Sequence, residues 1–253
     1  EYLFPAPSHV LDALLSLLNI HTALQEPLGR GWPFPPAGPV MGKIHQGPLV
    51  QALAVSLWRL AIGFGVSVLL GALLGVLIWR SRFLDELLGP LFLGLQTLPS
   101  VCWVPLAVLL FGLRESGILF VVVMGSVFAI AIALRDGMRT IPPILQRAGM
   151  MLGATGWRQY AYVLFPASLP ALATSLRQGF SFAWRSLMGG ELIFALQRQG
   201  LGFLLEIGRS FSDVGQVVAV MIVMIVVGML ADQYLFAPLE RRVHTRFGLL
   251  EAE

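Results

Sequence analysis

Long apolar stretches recur along the chain, and short polar segments separate them. A helix needs about 20 apolar residues to cross the hydrocarbon core of a bilayer, and several of the stretches reach that length. The pattern therefore predicts an all-α membrane protein with five spanning helices. These lie at about residues 49–79, 84–113, 117–134, 168–196 and 214–235, and the last continues as a polar helix toward His244.

The second stretch is interrupted by the sequence TLPS at residues 97–100. Proline in a membrane helix frees backbone groups, which are tolerated where they lie against protein or a water-filled cavity. A kink needed for packing is the commoner explanation, and a broken helix that presents its ends to an ion is the alternative. The flanking hydroxyl groups make Thr97, Pro99 and Ser100 candidates for the lining of a translocation path.

Residues 1–47 differ from the rest of the chain. An amphipathic helix from about Ser8 to Leu18 is predicted first, with Ser8 as its cap, and a stretch dense in proline and glycine follows. Because proline cannot continue a helix, this stretch should lie outside the lipid. The predicted domains are an N-terminal segment at 1–47, a transmembrane domain at 48–247 and a tail at 248–253.

Basic residues accumulate on the cytoplasmic side of membrane proteins. If the five spans alternate, five basic residues face one side and nine face the other. The loop at 135–166 is therefore predicted to be cytoplasmic and residues 1–47 extracytoplasmic, and a cytoplasmic N-terminus would require one more helix upstream. The nine are Arg80, Arg82, Arg135, Arg139, Arg147, Arg158, Arg241, Arg242 and Arg246.

Charged residues inside membrane spans are costly and point to function unless they pair with each other. Arg177 and Arg185 are eight residues apart, near one face of the fourth span, and that face would suit an anion. Glu191 is expected to pair with another helix, and structural ion pairing is at least as good an explanation for all three. Trp184 either lines the path or packs. Asp232 is expected to cap a helix or pair with an arginine. Arg59, a little past the outer end of the first span, is expected to extend toward the membrane interface, and a role in binding substrate is the alternative.

Composition excludes several classes of protein. Only 12% of the residues are charged, half of the about 25% that is usual in soluble domains. A net charge of +3 gives no nucleic-acid footprint. The single cysteine allows neither an internal disulfide nor a metal cluster. The phosphate-binding pattern GxxxxGK[ST] is absent, so any ATP that drives this protein binds to another chain.

Two alternatives to an ATP-driven transporter are a secondary transporter and a membrane-embedded enzyme. Secondary transporters are commonly built from internal repeats, and none is visible in this sequence. An enzyme would need catalytic residues, and no Ser/His/Asp set, HExxH motif or pair of intramembrane aspartates is visible. Both alternatives are therefore disfavoured.

The segment from Arg147 to Pro166 reads RAGMMLGATGWRQYAYVLFP. An amphipathic helix is predicted to lead into this segment, with Thr140 as its cap and Gly153, within the segment, as its stop. A second short helix should run from about Trp157 to Leu164 and end before Pro166. Two short helices with a glycine bend form a rigid unit, which suits docking into a groove on a partner; a helix lying on the lipid surface is the alternative.

The same segment resembles the cytoplasmic loop of bacterial ABC-importer permeases, whose pattern is E-A-A-x3-G-x9-I-x-L-P. The glycine and proline anchors are kept, whereas Arg147 replaces the glutamate, Gly149 the second alanine, and Val163 and Phe165 the apolar pair. The resemblance implies that the loop couples the membrane domain to an ATPase. The implied coupling residues are Arg147, Ala148, Gly149, Gly153, Val163 and Pro166.

Further segments, among them FAWRSLMGGELI at 182–193 and GLGFLLEIGRSFSD at 200–213, resemble the nitrate/sulfonate/taurine/bicarbonate branch of these permeases. The resemblance implies a type I importer fold in the bacterial inner membrane and a small anion as substrate. It also implies four kinds of partner: the bilayer, two cytoplasmic ATPase subunits that bind ATP and Mg, a second permease copy and an extracytoplasmic substrate-binding protein. No cofactor is expected in this chain itself.

Overall fold

The computed structural model describes residues 6–18, 48–194 and 200–246, and these ranges are helical with no β-strand. The proline- and glycine-rich stretch of the N-terminal segment and the tail at 248–253 lie outside the described residues. The helices are α1 (Pro7–Leu17), α2 (Pro48–Arg80), α3 (Arg82–Thr97), α4 (Val104–Phe111), α5 (Glu115–Arg139), α6 (Pro143–Met151), α7 (Trp157–Gln159), α8 (Phe165–Ile193), α9 (Leu201–Ser210), α10 (Val214–Ala231) and α11 (Ala237–Arg246).

Helix α5 is the central helix of the bundle, and α2 and α8 pack along it. Glycines on α2 allow the close approach. A Cβ atom at Gly71 would lie 2.8 Å from the Cβ of Ile130, and one at Gly75 would lie 2.7 Å from the carbonyl oxygen of Ala131. Small residues let membrane helices pack backbone to backbone, so glycine is required at both positions.

The number of membrane spans remains a prediction. Three helical segments are long and apolar enough to cross a bilayer: α2, α5 and residues 214–245, which join α10 to α11. The pair α3 and α4 would add a fourth span if it were counted as one broken crossing. Helix α8 was predicted as a span and is long enough at 29 residues. It is not among these three segments, and it contains the charged residues Arg177, Arg185 and Glu191.

The predicted second span is not one straight helix, because α3 and α4 meet at an angle of 103°. The chain extends at Leu98 and Pro99, then forms a 3-10 turn over Ser100–Trp103. Trp103, at the end of this turn, packs against Phe120 and Phe128 of α5. A bend this large is more than the simple kink that proline usually produces in a helix.

The predicted helix stop before Pro166 is wrong. A π-helical turn at Tyr160–Leu164 leads directly into α8, and Pro166 lies in the first turn of that helix. Proline suits a first helical turn, and Pro166 comes directly after the π-turn, at the start of α8. The second helical segment of the loop is therefore continuous with α8.

Two predicted caps are also wrong. Thr140 does not cap α6, because its hydroxyl donates to the Gly137 carbonyl at the end of α5, and α6 begins at Pro143 without a side-chain cap. Ser8 does not cap α1, which begins one residue earlier, at Pro7. In both helices proline occupies the first turn, where its missing N–H costs nothing.

Helix α9 was not predicted as a helix, because it is short and lies between two longer apolar stretches. It packs with α1, α10 and the start of α2 in a small apolar cluster that includes Leu17, Leu49, Leu204 and Val220. This cluster fixes the short helices against one end of the bundle.

Candidate functional site

The loop between α5 and α8 folds as a compact knob of two helical segments, here called the knob and comprising residues 143–164. Helix α6 ends in a Schellman motif, in which the Gly153 N–H donates to the Met150 carbonyl at 3.0 Å and the Ala154 N–H donates to the Gly149 carbonyl at 2.9 Å. Gly153 has φ +82°, which favours glycine. The predicted helix stop at Gly153 is confirmed.

Two of the predicted coupling residues hold the two halves of the knob together. A Cβ atom at Gly149 would lie 2.6 Å from Cγ2 of Val163, so α6 sits directly on the π-turn that leads into α8. The absence of a side chain at Gly149 sets this distance, and Val163 supplies the opposing surface. The contact explains why a glycine is needed here without reference to any partner.

The outer surface of the knob is apolar and cationic. Met151 and Leu152 are 90% and 87% exposed, and Arg147, Ala148 and Arg158 are exposed beside them. The sequence from 142 to 166 contains no aspartate or glutamate. The apolar face that the helical pattern predicts therefore points away from this chain, and it is available to another surface.

On α8, Arg177 is bound to two carboxylates. Its Nε and Nη2 donate to the two oxygens of Asp232 at 2.8 and 2.7 Å, and its Nη1 donates to Glu240 at 2.7 Å. The pairing of Asp232 with an arginine is confirmed. A guanidinium that already binds two carboxylates is a poor site for a further anion.

Glu191, near the other end of α8, lies at the centre of a buried polar cluster, here called the Glu191 cluster. The Arg59 Nη1 donates to its carboxylate at 2.9 Å, the Ser56 hydroxyl lies 2.9 and 2.7 Å from its two oxygens, and the Gly202 N–H donates at 3.1 Å. The Leu201 N–H donates to the Ser56 hydroxyl at 3.0 Å. The expected pairing of Glu191 with another helix is confirmed.

Two glycines make room for the Glu191 cluster. A Cβ atom at Gly200 would lie 2.6 Å from Oε2 of Glu191, and one at Gly202 would lie 2.7 Å from the backbone nitrogen of Leu192. The carboxylate also lies at the N-terminus of α9, where the helix dipole favours a negative charge. The cluster thereby joins α2, α8 and α9 at one end of the bundle.

Arg59 was expected to extend toward the membrane interface, and this expectation is wrong. Its side chain is 4% exposed and also contacts Glu115 of α5 at 3.3 Å. A guanidinium removed from water is stable only when carboxylates compensate it, and here two of them do. Sequence spacing could not reveal this arrangement, because Arg59 and Glu191 lie 132 positions apart.

The remaining path candidates do not converge on a single site. Arg185 is exposed, donates to the Ser181 carbonyl of its own helix and lies 4.8 Å from the ring centre of Phe182. Trp184 stacks on Phe180 and faces Gly228 of α10, which is a packing role.

The residues of the TLPS break are divided between solvent and the bundle. Thr97 and Pro99 are exposed, and the Thr97 hydroxyl donates to the Gly94 carbonyl of its own helix. Ser100 lies inward, where both it and Ser186 of α8 approach Gly125. Arg177 and Glu191 are also too far apart to form one site with each other, because the 14 positions between them correspond to about 21 Å along α8.

Two further charged groups were not singled out from the sequence. Asp85 of α3 pairs with both Arg135 and Arg139 of α5, and this joins the two helices at their charged ends. On α9, which lies outside the candidate spans, Arg209 donates two hydrogen bonds to Glu206 at 2.8 and 2.6 Å. These bonds lower the pKa of Glu206 below its usual value.

Residues 67–245 match the family of binding-protein-dependent transport system inner membrane components. This range covers most of the chain and contains the knob, α8 and the Arg177 contacts. The chain belongs to this family. The permease is therefore an all-α, multi-pass inner-membrane protein with the type I importer fold, and it belongs to the nitrate, sulfonate, taurine and bicarbonate branch.

Three relatives illustrate the branch. The permease is 33% identical to a putative aliphatic sulfonates transport permease of Escherichia coli, over 74% of this chain and 70% of the relative. It is 29% identical to the taurine transport system permease of Escherichia coli, over 77% and 70%. It is 28% identical to a nitrate import permease of Synechocystis, again over 77% and 70%.

Proposed function

We propose that the permease forms the translocation path for a small anion of the nitrate, bicarbonate, taurine or alkanesulfonate class, and that a separate cytoplasmic ATPase drives it through the knob. The names of its relatives support the substrate class. The exposed apolar and cationic surface of the knob supports the docking role. ATP and Mg would bind to the partner, since this sequence has no phosphate-binding loop.

The knob is the observation that carries the proposal. A docking element must transmit force without deforming, and the Schellman cap together with the Gly149–Val163 contact makes the knob rigid. Its continuity with α8 means that a displacement of the knob moves a bundle helix directly. Rigid-body movement of this kind is a common route of switching between two states.

The proposed assembly contains two copies of the permease, two ATPase subunits and an extracytoplasmic protein that delivers the substrate. The path would run between the two permease copies. Residues 1–47 would lie on the extracytoplasmic side, as the distribution of basic residues predicts. Arg185 is the candidate for contact with the anion, because it is exposed and pairs with no carboxylate among the described residues.

Substitution of the knob tests the proposal. We expect Gly153→Trp, or deletion of residues 147–153, to abolish ATP-driven uptake and to reduce the amount of ATPase that copurifies. Gly94→Trp is the matched control, because its position has open space around it and lies in α3, outside the knob. If the knob variants retain the ATPase and stimulate its turnover as the wild type does, the docking role is wrong.

A further inference from the structure

We propose that Arg177 is a positioning residue that sets the rotational register of the C-terminal helix α11, so that α11 moves together with α8 and the knob. This inference rests on the proposed function of the knob. It concerns how movement spreads from the knob to the last bundle helix, within one permease chain.

The contacts of Arg177 span the junction between α10 and α11. Asp232 is the first residue after α10, and Glu240 lies within α11. Both carboxylates bind the one guanidinium, at 2.7 to 2.8 Å. The Thr174 hydroxyl, one turn earlier on α8, donates to the second oxygen of Glu240 at 2.9 Å. Helix α8 thus holds residues from both sides of the junction.

A π-helical turn at Asp232–Phe236 makes this arrangement possible. In an unbroken α-helix, residues eight positions apart are offset by about 80° around the axis. A π-turn accommodates one additional residue, which reduces the offset between Asp232 and Glu240 to about 20°. Only the π form places both carboxylates on the face that meets Arg177.

The π-turn therefore fixes one of two possible rotational positions of α11 relative to α10. Conversion to a regular α-helix would rotate α11 by about 100° relative to α10 and would remove Glu240 from Arg177. Phe236, the last residue of the turn, also packs against α8: it is buried, and its ring centre lies 4.6 Å from that of Phe180 on α8 and 6.0 Å from that of Phe64 on α2.

Helix α8 connects this junction to the knob. The knob joins α8 without a helix break, and a Cβ atom at Gly137 of α5 would lie only 2.2 Å from the Cβ of Ala171. The start of α8 is thus held tightly at the knob end. Arg177 lies 11 positions after Pro166, about 16 Å along the helix, so the knob, α8 and α11 form one mechanical unit.

The test is the number of substrate molecules transported per ATP hydrolysed by the reconstituted complex. We expect Arg177→Gln to lower this ratio about fivefold, within the range found for residues of coupling networks, while basal ATPase activity persists. Asp232→Asn should have a smaller effect, because Arg177 keeps Glu240. Arg241→Gln is the matched control: it removes one positive charge from an exposed position of α11.

A charge exchange separates positioning from simple loss of stability. In Arg177→Asp with Asp232→Arg, the ion pair between positions 177 and 232 is restored with its charges exchanged, whereas Glu240 loses its guanidinium, so only part of the lost ratio should return. The inference is overturned if Arg177→Gln transports with the wild-type ratio, or if the exchange recovers none of the loss. Uptake by the wild type that needs no ATPase would instead overturn the proposed function itself.

Discussion

Replacement of Glu191 by glutamine preserves the shape of the side chain and removes its charge. The carboxylate accepts hydrogen bonds from Ser56, Arg59 and Gly202. A glutamine has one acceptor oxygen, and its amide nitrogen would face a donor on the other side. The Arg59 guanidinium, 4% exposed, would lose the negative charge of Glu191 and keep that of Glu115, 3.3 Å away.

The size of the effect depends on whether the Glu191 cluster behaves as a buried ion pair or as an ordinary hydrogen bond between membrane helices. Breaking a buried ion pair by removal of one partner costs about 3 to 5 kcal/mol, whereas interhelical hydrogen bonds in membranes average about 0.6 kcal/mol. Because both charges are almost fully buried, we expect the larger cost, that of a broken buried ion pair. The remaining Glu115 contact places the cost near its lower end, about 3 kcal/mol.

The assay is thermal unfolding of the purified permease complex in detergent. For a chain of this size, 1 kcal/mol corresponds to a shift in Tm of about 2 to 4 °C, so Glu191→Gln should lower Tm by about 6 to 12 °C. Glu206→Gln on α9 is the matched control, because it removes a carboxylate that pairs with Arg209 near the surface. If the two variants shift Tm equally, the Glu191 cluster is not a buried ion-pair site.

Three other predictions follow from the same contacts. Gly200→Ala should destabilise the protein as Glu191→Gln does, because its methyl group would meet the carboxylate, whereas Gly65→Ala has open space and should not; Tm measurements compare them. Arg185→Ala should impair uptake of the anion without preventing assembly, and unchanged uptake kinetics would remove Arg185 from the path. Arg209 lowers the pKa of Glu206 in the folded state, so the ionised Glu206 stabilises the fold. This stabilisation is present above the unfolded pKa, near pH 4, and is lost as the pH falls through the folded pKa. Glu206→Gln should therefore reduce the decrease in Tm that the wild type shows across this pH range.

Patterns within one helix could be predicted from the sequence. Apolar length located α2, α5 and α10, and glycine chemistry located the end of α6 at Gly153. The resemblance of the knob to a family motif supplied its proposed role. In each of these cases the information lies in residues that are close together along the chain.

That Glu191 and Asp232 pair with other groups could be predicted, but the residues that they pair with on distant helices could not. Arg59 and Glu191 are joined by the fold and not by spacing, and sequence periodicity relates only residues on the same helix. The two π-turns were also missed, at Tyr160–Leu164 and Asp232–Phe236. Their sequences are compatible with ordinary α-helix, and packing of the flanking residues decides the register.

The central claim is that work reaches the permease from another polypeptide through the knob. A photo-reactive amino acid at Leu152, which is 87% exposed at the tip of the knob, tests this most directly, with the same group at Leu109 of α4 as the control. In the assembled, transport-active complex, the account predicts a cross-link from position 152 to the ATPase subunit and none from position 109. Cross-linking of position 152 to lipid alone in that active complex would contradict the account.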